Sequence, residues 1–322
     1  MISPDISVVM SVFNAEKYLA KAVNSILNQT FTNFEFIIVE DCSTDGSLKI
    51  LEDFAQKDSR IKIIRKDKNK GTKGFIENLN RGLEEAKGKY IARMDADDIS
   101  ELERFEKQFD FLEKHPDIFI VGAQLDLMDE TEKIIGEKIA ETSNRLIYKK
   151  MIKNIQLFHP LIMFRNLNVH YREKMWYCED YDLYLRIMTE NLKMANLPDK
   201  LLKYRVLKSS ISRKDHKLTA KLFLEKAFVF HLERIKIGKD SYDGFDTESV
   251  VKIMDFDYPS KLEDLKFAAK VCLKYGFKDS LKLILQKSKK YFPRENFGFY
   301  KFITSLSGSI FSVYSRFYTK FN

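Results

Sequence analysis

Short, near-continuous apolar runs recur through the first part of the chain, at Ile6–Phe13, Phe34–Val39, Ile61–Ile64, Tyr90–Met94 and Ile118–Ala123. Such runs suit strands buried on both faces of a sheet. Between them the apolar spacing becomes helical, with Tyr18, Leu19, Val23, Ile26 and Leu27 after the first run and Leu48, Leu51 and Phe54 after the second. A basic loop with two glycines, Lys66 to Gly74, leads into a further helix through Leu83. Strand and helix alternate, which predicts an α/β fold with a mostly parallel sheet and right-handed crossovers. After the fourth run, Ser100 with Glu103 three residues on predicts a capping box, and Leu102, Phe105, Phe109 and Leu112 would form that helix's apolar face. Leu161–Phe164 reads as another strand, Glu179–Asp180 opens a helix with Leu183, Ile187 and Met188 inward, and Leu201–Val206 reads as a closing strand. From about Lys214 the pattern changes to long amphipathic helices, Leu218–Ile235, Tyr258–Tyr275 and Asp279–Lys289, with a polar break at Asp240–Asp246. The expected division is therefore an α/β domain over 1–212 and a helical region over 213–322.

Composition narrows the chemistry. Apolar residues are 44% and charged residues 32%, ordinary for a soluble globular protein, while 55 Lys and Arg against 47 Asp and Glu give a net charge of +8. An anionic partner is expected: a nucleotide, a nucleic acid or a membrane surface. The three cysteines, Cys42, Cys178 and Cys272, are odd in number and far apart, which fits reduced thiols in a cytoplasm. The five histidines make neither an HExxH pair nor a zinc spacing. No signal peptide opens the chain and no apolar run is long enough for a bilayer, so a cytoplasmic protein is expected. From Lys287 onward, seven basic residues stand against one acid, Glu295, among Tyr291, Phe292, Phe297, Phe299, Phe302, Ile303, Phe311, Tyr314, Phe317 and Phe321. Such a tail either meets an anionic membrane interface, at the inner face of the cytoplasmic membrane, or docks on the protein's own core or a second subunit. No nucleic-acid-binding motif accompanies it, so nucleic acid is not an expected partner.

The sharpest chemical feature is Asp95-Ala96-Asp97-Asp98, three carboxylates in four residues at a strand's end. Crowded carboxylates repel unless a cation or hydrogen-bond donors share the site. A hard divalent ion, Mg²⁺ or Mn²⁺, takes oxygen ligands of this kind together with phosphates, and open α/β sheets bind ligands beyond their strands' carboxyl ends. Taken alone, the cluster reads equally as an acidic loop before a helix N-terminus. Other families fall away. There is no G-x-G-x-x-G after the first strand, no Walker loop, and no G-x-G-T-R-like loop of a nucleotidyltransferase. A haloacid-dehalogenase Asp-x-Asp would follow the first strand, whereas this one follows the fourth.

Four segments in order carry a resemblance: Ser11-Val12-Phe13-Asn14, Glu40-Asp41-Cys42-Ser43-Thr44-Asp45-Gly46-Ser47, Asp95-Ala96-Asp97-Asp98, and Glu179-Asp180-Tyr181-Asp182-Leu183. Over roughly the first two-thirds of its length the chain resembles an inverting glycosyltransferase of family 2, of the bacterial cell-surface polysaccharide type, with the GT-A nucleotide-sugar fold. It departs from the family at Phe13, where many relatives have Tyr, at Cys42, where they have Gly, and at Glu40, which replaces the first acid of an Asp-Asp pair.

The resemblance implies a nucleotide-sugar half over about 1–125 and an acceptor half over about 126–212. The donor would be a UDP-hexose or UDP-N-acetylhexosamine, and one sugar would pass to a hydroxyl of a glycan or lipid-linked saccharide. Asp41 would accept the uracil imide N–H and Phe13 would stack on the base. Asn14, Glu16, Asp95 and Ala96 would line the rest of the nucleotide sugar, with Asp95 toward the ribose. Lys73 either neutralises the diphosphate or is a solvated loop cation. Asp97 and Asp98 would hold Mg²⁺ or Mn²⁺. The base would be Asp180, with Glu179 as runner-up. His159 either lines the acceptor pocket or is packed, and Trp176, the only tryptophan, is either a sugar platform or core. The absence of transmembrane runs and of Q-x-x-R-W argues against a processive synthase. A non-catalytic glycan- or nucleotide-binding descendant and a polyprenyl-phosphate glycosyltransferase remain as alternatives, and a homodimer stays open.

Overall fold

A computed structural model of the chain describes residues 3–207 and 217–321, with side chains as far as Ser315. The chain divides into two compact units, Met1–Glu173 with Glu179–Ser210, and Lys174–Cys178 with Ile211–Asn322. The domain boundary expected at 212/213 lies outside the described residues.

In the first unit, β1 (Ile6–Val12), β2 (Phe34–Glu40), β3 (Ile61–Arg65) and β4 (Tyr90–Asp95) form a parallel block in the order β3-β2-β1-β4. The apolar runs are continuous because both faces of this block are covered. Ile6, Val8, Met10, Val12, Phe36, Ile38, Tyr90, Ala92 and Met94 pack with Leu19, Val23 and Ile26 of α1 (Glu16–Leu27). The intervening Val9, Ile37, Val39 and Ile91 are buried as well. Helix α2 (Ser47–Ala55) follows β2, and α3 (Thr72–Glu84) follows β3. Register aligns the strand ends: Ser11 lies opposite Asp95, and Val12 opposite Glu40. Residues just past β1, β2 and β4 therefore emerge at one edge of the sheet.

Beyond β4 the sheet turns mixed. β8 (Met163–Arg165) runs antiparallel to β4 and to β6 (Ile118–Met128). β9 (Lys193–Arg205) runs parallel to β6, while β5 (Ile99–Ser100) pairs antiparallel with β9 and β7 (Ile134–Lys138) with β6. Helices α4 (Arg104–Lys114), α5 (Asn144–Met151) and α6 (Glu179–Thr189) and a 3-10 turn, His159–Leu161, complete this unit.

Three expectations are corrected here. Ser100 does not cap a helix: it pairs with Leu202 in β9, and its amide donates to Ser25 Oγ at 3.0 Å. Sheet pairing satisfies the backbone that a capping box would have served, and α4 starts four residues later with no side-chain cap. Leu102 consequently points outward, 56% exposed. The buried face of α4 is Arg104, Phe105, Gln108 and Leu112, where Arg104 Nη2 donates to the Arg93 carbonyl at 2.7 Å. Finally, the closing strand begins at Lys193 rather than Leu201, and the fifth strand runs on to Met128.

The second unit holds α7 (Lys217–Ile237), α8 (Thr247–Val251), α9 (Leu262–Tyr275), α10 (Lys278–Tyr291), α11 (Gly298–Ser305) and α12 (Gly308–Phe321). Asp246 caps α8 through Ser249 N at 3.1 Å, and Gly276 closes α9 at φ +75°, a left-handed position that suits glycine. Phe223 and Phe230 of α7 both meet Phe245 edge-on. Lys287 is buried on α10 and donates to the carbonyls of Lys252, Ile253 and Asp255, so this member of the basic tail is spent inside the unit. Among the described residues no helix is long and apolar enough to cross a membrane.

Candidate active site

The aligned strand ends gather the expected donor-side residues. After β2, the Asp41 amide donates to the Val12 carbonyl at 2.9 Å, which fixes Asp41 beside the end of β1. Its carboxylate is buried, ion-paired with Lys66 Nζ at 2.8 Å and accepting from Asn69 Nδ2 at 3.0 Å. Gly74 makes room for this group, since a Cβ there would stand 3.3 Å from both Asp41 Oδ2 and Lys66 Nζ. Glu40 turns the other way and accepts from the amides of Cys42 and Ser43. Phe13 leaves β1 with its ring 49% exposed. Asn14 takes φ +48° and accepts from the Thr44 amide at 2.8 Å, tying the two strand ends together. Glu16 accepts from the Gly46 amide at 2.8 Å. Lys73 is exposed in the first turn of α3.

At the end of β4, ligand-type oxygens of Asp95, Asp97 and Asp98 all lie within 4.8 Å of one another. Asp98 is 1% exposed; one oxygen accepts from the Arg205 amide at 2.8 Å, and the other, Oδ2, has no hydrogen-bond partner. Burial and the neighbouring Asp95 push the Asp97 carboxyl up to about 6, and burial with Asp95 and Asp97 pushes Asp98 well up. Carboxylates held together against their own repulsion, with a buried oxygen left over, are a donor set suited to a hard divalent cation. Ala96 sits buried in the turn between them. Arg205 braces that turn, donating from Nε to the Asp97 carbonyl at 2.8 Å.

Within reach of the Asp95 and Arg93 charges, Glu179 and Asp180 open α6. Burial and the adjacent Asp180 push Glu179 up to about 8, while burial pushes Asp180 up to about 6. Asp180 Oδ1 accepts from the Tyr181 amide at 2.6 Å, as an acid in a helix's first turn can. Asp182, two residues on, is fully buried and paired with Arg186 at 3.1 Å. His159 Nε2 shares a hydrogen bond with the Tyr171 hydroxyl at 2.8 Å, and its Nδ1 is 4.0 Å from Glu179 Oε1. Burial and the charge of Arg93 hold that imidazole well below its usual range, so it is neutral. Trp176 belongs to the second unit, where its ring stacks on Phe223 with centroids 6.3 Å apart.

Sequence reasoning passed over several of these groups. Lys66 was one member of a lysine-rich loop, distinguished only by its place directly after β3. Arg93 is buried on β4, ion-paired with Asp95, and its charge lowers the carboxyls of Asp97, Asp98, Glu179 and Asp180 together. A lone Arg inside an apolar strand is the signal that marks it. Arg93 Nε and the Tyr184 hydroxyl are buried without a hydrogen-bond partner, an uncommon state for donors in a folded interior. Tyr171 is tied by both backbone groups to the Asn80 side chain, which no local pattern foretells.

Comparison with known proteins gives the family and the fold. The pattern of glycosyl transferase family 2 matches residues 7–172. A Haemophilus influenzae protein described as an uncharacterized glycosyltransferase is 35% identical over 73% of this chain and 76% of its own. An O-antigen biosynthesis glycosyltransferase of Escherichia coli, WbnJ, is 35% identical over 65% of this chain and 82% of that protein. Among solved structures, S. aureus TarS 1-349 in complex with UDP-GlcNAc superposes with a TM-score of 0.57 at 16% identity, covering 98% of this chain and 90% of that one. Its fold is that of the GT-A transferases, which the mixed sheet and its flanking helices share. By a match that spans half its length and by the relatives it resembles, the chain belongs to glycosyl transferase family 2 and is a glycosyltransferase.

Proposed function

We propose that this glycosyltransferase moves a single sugar, with inversion, from a UDP-hexose or UDP-N-acetylhexosamine to a hydroxyl of a glycan or lipid-linked saccharide in cell-surface polysaccharide synthesis. The observation that carries the reading is the meeting of Asp95, Asp97 and Asp98 oxygens within 4.8 Å at the strand edge that also holds Asp41. The polysaccharide role is supported by the relative named for O-antigen biosynthesis, and the UDP donor by the fold neighbour solved with UDP-GlcNAc. Three widely spaced cysteines, Cys42, Cys178 and Cys272, suit a cytoplasmic enzyme.

In this reading Asp41, paired with Lys66, accepts the uracil imide N–H, and the exposed Phe13 ring covers the base. Asn14 and Glu16 hold the loop around it, Asp95 and Ala96 face the ribose side, and Lys73 offers a positive charge to the diphosphate. Asp97 and Asp98 would hold Mg²⁺ or Mn²⁺, which supplies charge neutralisation for the leaving diphosphate. Asp180 takes the proton of the attacking hydroxyl as general base. Burial raises both members of the Glu179–Asp180 pair, Glu179 further, and in this reading Asp180 is the member ionised for that task. Neutral His159, positioned by Tyr171, and the unpaired donors of Arg93 and Tyr184 offer hydrogen bonds to sugar hydroxyls. Trp176, packed on Phe223, is left as an acceptor-side candidate of lower rank.

The test is a panel of nucleotide sugars with Mg²⁺ or Mn²⁺, scored by slow release of free nucleoside diphosphate. One UDP-sugar should stand out, chelator should suppress its turnover, and Asp97→Ala should do the same. Full turnover in excess chelator, or by that variant, overturns the metal assignment. Binding of UDP-sugars without hydrolysis or transfer under any condition favours the non-catalytic descendant.

A further inference from the structure

The second unit ends in two helices that are apolar on both sides. On α11, Ile303 is buried while Phe299 and Phe302 are 49% and 63% exposed. On α12, Phe311 and Ser315 face inward, the Ser315 hydroxyl donating to the Lys274 carbonyl of α9 at 3.3 Å, while Ile310 and Val313 are 54% and 55% exposed. The outer residues are continuous from one helix to the other, for the Phe299 ring meets the Tyr314 ring with centroids 6.0 Å apart. Docking of the tail on its own unit is thus accomplished by the inner residues alone. An amphipathic surface helix needs only one apolar stripe, and a contiguous exposed apolar patch marks a surface with another use.

This end of the sequence is strongly basic, with Glu295 its only acid from Lys287 onward. Residues 296–322 contain no acid but include Lys301, Arg316 and Lys320, and Lys289 and Arg294 stand exposed just before them. Exposed phenylalanine and aliphatic side chains on a basic stretch of chain match acyl chains beneath anionic headgroups, whereas an ordinary protein surface supplies both signs of charge. We propose that the outer side of α11 and α12 is a docking surface for an anionic bilayer, with Phe299, Phe302, Ile310 and Val313 entering the headgroup–acyl boundary. The inference is independent of the donor and base assignments above.

The test uses the full chain in co-sedimentation with phosphatidylcholine vesicles, with and without phosphatidylglycerol. Binding is expected to need the anionic lipid, to weaken as salt rises, and to fall at least about tenfold in Phe299→Ser/Phe302→Ser, given the apolar area removed. Lys301→Glu, on an exposed position, should weaken binding as well and gives a second reading should the double variant fold poorly. Donor hydrolysis should be unchanged in both. Equal binding to neutral vesicles, or no binding to either, overturns the proposal. So does a dimer, seen by light scattering without vesicles, that the Phe substitutions convert to monomer, because the patch then covers a second copy.

Discussion

Glu179 and Asp180 stand side by side, half-buried, at the start of α6, and two adjacent carboxylates in such a place resist ionising together. Asp180→Asn keeps shape and one acceptor oxygen but removes the proposed base. It should cost about 10²- to 10⁴-fold in transfer rate with donor KM little changed, measured by product formation at saturating donor. Near-normal transfer by that variant, with Glu179→Gln inactive, moves the role one residue back. Both carboxyls are raised in the fold, so with Asp180 as the proposed base its ionised form is present above about pH 6 and lost as pH falls through it. The kcat/KM profile should therefore show an acid limb near 6 rather than near the ordinary Asp value. The ion pair at Asp41 makes a separate expectation. Lys66→Met leaves that carboxylate buried without its cation, and should raise donor KM at least about tenfold with a smaller change in kcat. Asp41 itself is readable in the sequence as the second acid at a strand's end. Its partner is not, because a loop with Lys66, Lys68, Lys70 and Lys73 does not say which lysine folds back.

At the scale of elements, legibility follows burial. β1, β2 and β4 declare themselves because both faces are covered and most of their residues are apolar. β7 does not, as all five of its residues are exposed, and the first half of β9 is broken by Asn196, Pro198, Asp199 and Lys200. The Ser100–Glu103 pattern misleads for a different reason: a distant strand supplies the hydrogen bonds that a local cap would supply, and nothing near Ser100 announces β9. How closely helix and sheet approach is likewise invisible locally. At Gly82 of α3 an added Cβ would stand 2.4 Å from Val9 Cγ1 in β1. Alanine gains about 1 kcal/mol of helix propensity over glycine, but overpacking a core contact costs about 1–3 kcal/mol. With Val9 held in the middle of a paired strand the clash prevails, and Gly82→Ala should lower the midpoint of thermal unfolding. An unchanged or higher midpoint would show that α3 can retreat from the sheet.

Over the whole molecule, the chain leaves its first unit at Lys174 and returns at Glu179. Those five residues belong with the C-terminal helices: Trp176 and Tyr177 pack on Phe223, the Lys174 amide donates to the Tyr242 hydroxyl at 3.0 Å, and Lys174 Nζ donates to the Asp243 carbonyl at 2.7 Å. Composition and periodicity suggest a simple succession, α/β first and helices after, because a five-residue excursion is too short to disturb either signal. A chain ending at residue 207 retains every residue proposed for catalysis but deprives this segment of its partners. It should bind UDP in calorimetry yet lose at least about tenfold in transfer, since Glu179 and Asp180 follow directly on the loosened stretch. Transfer at the full-length rate would show that the excursion has no hold on α6.

The same excursion bears on how such a protein is inherited and recombined. A cut placed after the last strand divides the sequence neatly but splits a structural unit, leaving Lys174–Cys178 of one parent to fit helices of the other. Chimaeras between relatives should therefore succeed when those five residues are exchanged together with the C-terminal helices, and fail at the single junction that an alignment would recommend. The heritable module is discontinuous, and selection on the C-terminal helices reaches, through that short stitch, the residue next to the proposed base.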